Sequence, residues 1–172
     1  MYAQERIQSW YTFRHKAKKN TMTKSIFKYQ TVIRTTPEKL WHALTTADII
    51  KEYWFDSSFE CDWKVGSSWK AYNDGKLMDS GEIIESVAQK RLVRSWLCEW
   101  QPEFKAEGSA LSTYEIEPIG ECVKLIVTYS IERPNSKYIE ALPDGISMVL
   151  SNLKSLLETG EPALKMSRKQ LK

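Results

Sequence analysis

The chain has 172 residues and a formal net charge of +3, enough for one hydrophobic core and too short for two sizeable domains. The positive charge sits at the ends, because residues 1–23 carry +4 and residues 161–172 carry +3, which leaves −4 on residues 24–160. This distribution argues against a nucleic-acid-binding core, whose positive charge would lie on the folded surface.

The three cysteines, Cys61, Cys98 and Cys122, form an odd set without the spacing of a metal or redox motif. We expect buried thiols in a reducing compartment, with no metal site and no cofactor. No apolar run approaches the roughly 18 residues of a membrane span, and the N-terminus lacks the apolar segment of a signal peptide. The sequence therefore predicts a cytoplasmic protein.

Residues 1–23 do not resemble the entry to a domain. Ile7, Trp10 and Tyr11 would share a helical face among basic neighbours, but the pattern is short and weakly periodic. Because Met22 is followed at once by a strand-like segment, we interpret residues 1–23 as a basic leader that is disordered or foreign to the natural protein. We assign the domain to residues 24–160 and a basic, solvated tail to residues 161–172.

The domain is predicted to begin with one strand and two short helices. Ser25–Arg34 is rich in β-branched and aromatic residues, which favours a strand. Thr36 then supplies a helix N-cap and Pro37 the first helical position. A second helix follows over about Ala47–Tyr53. The residues that would form the buried face of the first helix are Leu40, Trp41 and Leu44.

From residue 57 onward the hydrophobic pattern changes to a period of two, which is typical of strands with one buried face. The connections are short, so six strands pair as an antiparallel meander that the first strand can join. The predicted strands are Ser57–Asp62, Ser68–Asn73, Ser80–Val87, Leu92–Trp100, Ala110–Pro118 and Val123–Glu132.

A long helix is predicted over Pro143–Gly160. Its apolar residues recur at three- and four-residue steps, while Pro143 supplies a start signal and Gly160 a left-handed stop. Such an apolar stripe needs a partner, and the sheet supplies one. The predicted fold class is therefore α+β, of β-α-α-β6-α order, with a seven-stranded curved antiparallel sheet wrapped around a long C-terminal helix.

The alternation also predicts which side chains face that helix. Aromatic rows with a few polar tips are typical of small-molecule pockets, so we predict a cavity between the sheet and the helix. In the strand Leu92–Trp100, the row on the helix side is Leu92, Arg94, Trp96, Cys98 and Trp100. The candidate ligand-binding residues are Trp54, Phe59, Trp69, Arg94, Trp96, Cys98, Tyr114, Tyr129, Ile146, Val149 and Leu153.

Arg94 is the sharpest single feature, because a guanidinium in a dry site needs a partner. One interpretation is a strand-end arginine that reaches solvent or an internal carboxylate. The other is an anchor for an acidic or carbonyl-bearing apolar ligand, since arginine suits bidentate recognition of such groups. Both interpretations stay open at this point.

Four segments in order resemble one known family. The first is similar to its PE-x-(V/L)-W-x-A-L-T segment, the second to its V-G-G turn, the third to its paired G-x-V-x-E and R-L-x-x-x-W strands, and the fourth to its terminal G-W-x-x-x-L-x-x-L-K helix. The matching residues are Pro37, Glu38, Leu40, Trp41, Ala43, Leu44 and Thr45; Val65 and Gly66; Gly81, Ile83, Glu85, Arg91, Leu92 and Trp96; and Gly145, Leu150, Leu153, Lys154, Leu157, Glu158 and Gly160.

By these segments the chain resembles the START/Bet v 1-like superfamily, and within it the branch named for the activator of Hsp90 ATPase homologue, over about residues 25–160. The resemblance implies the helix-grip fold, which hosts lipid carriers, cyclases and hydratases. Four positions depart from the family pattern: Ser67 replaces a turn glycine, Arg94 an apolar residue, Tyr129 a frequent histidine and Ile146 a tryptophan. The smaller Ile146 predicts extra room near the start of the helix.

No catalytic constellation is visible in the sequence. His15 falls in the leader and His42 on the exposed face of the first helix, and no phosphate-binding glycine loop or nucleophile elbow is present. Arg94 would favour the thiolate form of Cys98, but no general base is assigned beside this cysteine. Core packing is therefore the better interpretation of Cys98. We therefore expect a protein that binds a small apolar or aromatic molecule rather than an enzyme.

Two alternatives come from other function classes. The resemblance implies a chaperone-associated interaction module, or a cyclase- or hydratase-type enzyme that needs only one or two polar groups in its pocket. We expect no nucleic-acid partner and no membrane span, and the sequence leaves monomer and homodimer open.

Overall fold

A computed structural model describes residues 23–167 and Gln170. The predicted leader therefore lies outside the described residues, except for its last position. The elements in chain order are β1 (Ser25–Ile33), α1 (Pro37–Thr45), α2 (Ala47–Tyr53), β2 (Ser58–Cys61), β3 (Ser68–Asn73), β4 (Lys76–Val87), β5 (Arg91–Cys98), α3 (Pro102–Lys105), β6 (Ala110–Ile119), β7 (Cys122–Ile131) and α4 (Lys137–Thr159).

The seven strands form one antiparallel sheet in the order β1-β7-β6-β5-β4-β3-β2. The predicted meander and the return of the first strand to the last are confirmed. The two short helices connect β1 to the opposite edge strand β2, and α4 packs its apolar stripe on one face of the sheet. The predicted α+β helix-grip architecture is thus the observed one.

Two strand boundaries differ from the prediction in ways that affect the cavity. β4 begins at Lys76, four residues before the predicted Ser80, because the tight turn at Asp74 and Gly75 lets pairing start at once. β5 ends at Cys98, so Trp100 leaves the strand and is 48% exposed. The following loop contains the short helix α3.

The start of the long helix was predicted wrongly. α4 begins at Lys137, with Ser136 as the N-cap whose hydroxyl accepts from the Ile139 amide at 3.1 Å. Pro143 lies inside the helix, where its missing N–H removes the i→i−4 hydrogen bond to the Ile139 carbonyl. The predicted stop is confirmed, because Gly160 closes the helix at φ +86°.

Gly81 in β4 allows a tryptophan to cross the sheet surface. A Cβ at this position would meet the Ser95 carbonyl oxygen at 2.0 Å and Trp69 Nε1 at 2.6 Å. The Trp69 indole donates to that same carbonyl at 3.1 Å. Because Gly81 has no side chain, it leaves the space that the Trp69 indole occupies in the core.

The first part of the C-terminal tail packs on the domain, which the expectation of a solvated tail did not include. The buried Asn152 of α4 accepts from the Leu164 amide at 2.7 Å and donates to the Leu164 carbonyl at 3.3 Å. The side-chain amide of Asn152 also donates to the Tyr53 carbonyl at the end of α2. Among the described residues, no helix is both long and apolar enough to cross a membrane.

Candidate ligand-binding cavity

A cavity of about 300 Å³ lies between the sheet and the first half of α4. The β5–β6 loop, residues 99–109, and the end of α2 complete its wall. Most of the lining is aromatic or aliphatic. The lining residues are Trp54, Phe55, Asp79, Trp96, Cys98, Trp100, Phe104, Tyr129, Tyr138, Ala141, Leu142, Gly145, Ile146 and Val149.

The structure brings six of the eleven candidate residues to this cavity and places five in the core around it. The six that line the cavity are Trp54, Trp96, Cys98, Tyr129, Ile146 and Val149. The other five are all buried: Phe59, Trp69, Arg94, Tyr114 and Leu153. The space lies beside Ile146, where the small side chain predicts it. Whether these residues bind a ligand stays a prediction.

Stacked aromatic rings form the inner wall. Trp54 and Trp96 stack with ring centroids 5.6 Å apart, and Trp69 lies behind Trp96 at 4.5 Å. Phe59 in turn stacks on Trp69 at 5.9 Å. Because such ring contacts fix one another's orientation, the cavity has a rigid, preformed inner wall.

Arg94 lies in the core next to this wall, with 2% of its surface exposed. The expectation that it reaches solvent at a strand end is therefore wrong. Among the described residues, Nε and Nη1 of the guanidinium have no hydrogen-bond partner. The rings around it, with centroids 4.8–6.0 Å from Cζ, belong to Trp96, Tyr114, Trp69, Trp63 and Phe59.

Aromatic faces stabilise a buried cation, but they do not replace hydrogen bonds. A cation–π contact contributes roughly 0.5–2 kcal/mol, and an unsatisfied buried donor costs about 1–3 kcal/mol. The guanidinium of Arg94 is thus stabilised by the surrounding rings, while two of its N–H-bearing nitrogens, Nε and Nη1, donate to none of the described residues.

Asp79 contributes a carboxylate to the cavity lining and is 7% exposed. Its Oδ1 accepts a hydrogen bond from Trp96 Nε1 at 3.0 Å. The ring of the same tryptophan lies 4.8 Å from Arg94 Cζ. Trp96 therefore lies between two opposite charges, with its face toward the cation and its N–H toward the carboxylate.

Two buried tyrosine hydroxyls meet next to the cavity, and one of them belongs to the lining residue Tyr129. The hydroxyl oxygens of Tyr114 and Tyr129 are 3.2 Å apart, and either one can donate. Burial raises the pKa of Tyr129 well above its usual value, and the Tyr114 hydroxyl contributes in the same direction. Burial likewise raises the pKa of Tyr138, with Asp79 as the next cause. These hydroxyls therefore keep their protons and act as donors near neutral pH.

The β5–β6 loop is fastened to the N-terminus of α4. Glu107 accepts from the Ser136 hydroxyl and from the backbone amides of Lys137, at 3.0 Å, and Tyr138, at 3.4 Å. Burial opposes the charge, yet these hydrogen bonds outweigh it and lower the pKa of Glu107. Phe104 of the loop packs on the Tyr138 ring at 5.7 Å. The carboxylate thus joins the two elements that cover the cavity.

Sequence reasoning missed several lining residues. Asp79 was left out because β4 was predicted to start one residue later; an earlier start would have placed it in the inward row with Gly81 and Ile83. Tyr138 was left out because the helix was predicted to start at Pro143. No sequence signal marked Phe104, which reaches the cavity from a loop.

The described residues contain no group of three or more His, Cys, Asp or Glu side chains arranged to hold a metal ion. His42 is exposed on α1 and its Nδ1 lies 3.0 Å from the Thr46 hydroxyl. The lining residues that carry polar groups include Asp79, Cys98, Tyr129 and Tyr138.

Solved structures with the same fold come from several bacteria. Protein MLL2253 from Mesorhizobium loti is 24% identical, with a TM-score of 0.66 over 77% of this chain and 96% of that one. ChR145 from Cytophaga hutchinsonii is 28% identical, with a TM-score of 0.62 over 77% and 93%. The Aha1 dimer from Colwellia psychrerythraea is 19% identical, with a TM-score of 0.64 over 79% and 98%.

No curated protein sequence matches the chain. A family model does, over residues 34–158, which include every element from α1 to the last turn of α4. All the residues that line the cavity lie within this range. The chain belongs to the family described as activator of Hsp90 ATPase homolog 1-like protein.

Proposed function

We propose that this protein binds a small apolar or aromatic molecule in the cavity between the sheet and α4. The observation that carries the proposal is the cavity itself, about 300 Å³ in volume and lined mainly by aromatic and aliphatic side chains. This volume lies at the lower end of the range for small-molecule sites, which favours a compact ligand over a long-chain lipid. A few polar groups in an apolar lining are the usual means of fixing a ligand's orientation.

The candidate residues take two roles in this proposal. Trp54, Trp96, Cys98, Ile146 and Val149 supply contact surface for the ligand. Phe59, Trp69, Tyr114 and Leu153 hold that surface from behind, and Arg94 and Tyr129 give it polarity. Since the inner wall is already packed, ligand binding needs little reordering of these side chains.

A ligand panel with a blocked cavity tests the proposal. Aromatic acids, flavonoids and fatty acids are added to the wild-type protein, and the melting temperature is followed. A bound ligand raises it, by an increment that grows with concentration. The Ile146→Trp variant should fill the cavity and abolish the shift. Ile84→Trp is the matched control, because Ile84 is 46% exposed on β4 and should leave the shift unchanged. Melting curves that respond to no ligand would contradict the proposal.

A cyclase- or hydratase-type activity is the second candidate, and Asp79 is the observation that favours it. Asp79, Tyr129 and Tyr138 all line the cavity, and a carboxylate and tyrosine hydroxyls are groups that can move protons on a bound molecule. Turnover of a bound ligand that Asp79→Asn abolishes, with binding retained, would support this activity. Binding without any chemical change of the ligand would count against it.

A chaperone-associated role is supported by the family description alone. Recovery of a chaperone on the immobilised protein, together with a changed chaperone ATPase rate, would support it. An unchanged ATPase rate would remove it.

A further inference from the structure

The wall of the cavity follows one row of side chains along β5. Residues two apart on a strand share a face and are spaced by about 6.6 Å. In this row Cys98 and Trp96 line the cavity, and Arg94 is the next residue inward; Trp100, just beyond the end of the strand, also lines the cavity. The guanidinium therefore marks the inner end of the row, one residue beyond the lining.

The register of the sheet brings Tyr129 to the same level. Arg94 lies opposite Ser112 of β6, and Ser112 lies opposite Tyr129 of β7. Tyr129 lines the cavity, and its hydroxyl meets that of Tyr114, whose ring centroid is 5.2 Å from Arg94 Cζ. The hydroxyl pair thus connects Tyr114, whose ring lies against the guanidinium, with Tyr129, which lines the cavity.

The Tyr114–Tyr129 hydroxyl pair has one O–H group that is not used in the hydrogen bond between the two oxygens. One hydrogen bond joins the two oxygens, so one of the two O–H groups donates within the pair and the other is available. When Tyr114 donates to Tyr129, the Tyr129 hydroxyl can donate to an oxygen atom in the cavity. The positive charge of Arg94 behind Tyr114 favours a negative charge on that oxygen.

Asp79 places a carboxylate at the outer part of the cavity. Asp79 pairs with Cys98 across β4 and β5, four residues before the level of Arg94, which is about 13 Å along a strand. Asp79 therefore disfavours an anionic group near the outer end, while Arg94 favours one at the inner end. The two charges define a direction along the cavity.

Resting on the proposed function, we propose that the ligand is a compact aromatic molecule with an anionic oxygen, such as a carboxylate, at its inner end. Tyr129 donates to that oxygen, Tyr114 supports Tyr129, and Arg94 selects the negative charge. The aromatic body lies against Trp54 and Trp96.

Three compounds that share one ring system test this inference. They are 2-naphthoate, 2-naphthalenemethanol and 2-naphthylmethylamine, whose dissociation constants are measured by calorimetry. The wild-type protein should bind the acid at least tenfold more tightly than the amine, with the alcohol between them. Arg94→Met should weaken the acid at least tenfold and the alcohol less than threefold.

Arg91→Met is the matched control. Arg91 lies on β5 too, but it pairs with Glu85 at 3.1 Å and Glu115 at 2.7 Å, away from the cavity. The control removes the same charge and should leave all three constants within twofold of wild type. The wild-type order of the three compounds tests the inference even where a variant fails to fold.

The outcomes separate the inference from the proposed function. Equal binding of acid and alcohol, tightest binding of the amine, or equal effects of Arg94→Met and Arg91→Met would overturn the inference and leave ligand binding intact. No binding of any compound by the wild-type protein would contradict the proposed function, and the inference with it.

Discussion

Replacing Arg94 by methionine should stabilise the protein. The guanidinium is 2% exposed, and its Nε and Nη1 donors have no hydrogen-bond partner among the described residues. Methionine has a similar reach and no buried charge, so it removes the desolvation cost while it fills most of the space. What is lost is the interaction with the surrounding rings.

The magnitude follows from these opposing terms. Two unsatisfied donors cost about 1–3 kcal/mol each, while desolvated cation–π contacts return roughly 2 kcal/mol and do not add fully over five rings. Replacement of buried charges by apolar side chains is often neutral or stabilising by about 1–4 kcal/mol. We therefore expect a gain of about 1–3 kcal/mol in the free energy of unfolding. At roughly 2–4 °C per kcal/mol, the melting temperature should rise by several degrees.

Urea unfolding of wild type, Arg94→Met and the control Arg91→Met measures the effect. Arg91 loses two half-exposed ion pairs in the control, which should lower stability by no more than about 1 kcal/mol each. A loss of 3 kcal/mol or more in Arg94→Met would refute the reasoning, because it would mean that the folded protein satisfies the guanidinium. A stabilised variant with weakened ligand binding would mark Arg94 as a functional residue that costs stability.

Three further predictions concern the frame around the cavity. Glu107→Gln should lower the free energy of unfolding by about 0.5–1.5 kcal/mol at pH 7, as the loss of a helix cap does. Because the folded state lowers the pKa of Glu107, the contribution of its carboxylate is present above about pH 4 and is lost as acid protonates the group. The urea midpoints of the variant and the wild type should therefore converge at low pH. Gly81→Ala should displace Trp69 and destabilise the protein by roughly 2 kcal/mol or more, visible as lower thermal stability and a changed near-UV dichroism spectrum. Asn152→Ala should release the segment at Leu164, and faster hydrogen exchange of the Leu164 amide would reveal it, whereas unchanged exchange would contradict the assigned hydrogen bond.

Local pattern predicted the fold because its signals are repeated and agree with one another. The strict alternation of β5 placed Trp96 and Cys98 on the inward face, and both line the cavity. Short turns allowed one strand order, and Gly160 ended the long helix where a left-handed residue is needed. The alternation, the turns and the helix stop are each encoded by residues that are close together in the sequence.

The sequence-based predictions failed where residues far apart in the sequence determine the local structure. Pro143 is a strong local start signal, yet the helix begins six residues earlier because Ser136 caps it and Glu107, some thirty residues away in sequence, accepts from its first amides. Tyr138 enters the cavity wall through this longer helix. Within the described part of the chain, Nε and Nη1 of Arg94 have no hydrogen-bond partner. This likewise depends on which acids the sheet brings near the guanidinium, and one strand's sequence does not contain that information.

The most direct test of ligand binding is a titration of the wild-type protein with 2-naphthoate, followed by the indole N–H resonances of Trp54 and Trp96 in nuclear magnetic resonance spectra. These two rings stack at 5.6 Å and line the cavity, so a ligand against them should shift both resonances in a saturable manner. The same titration of Ile146→Trp should leave the two resonances in place. Saturable shifts confined to residues outside the cavity, or equal shifts in the blocked variant, would contradict a binding site beneath the start of α4.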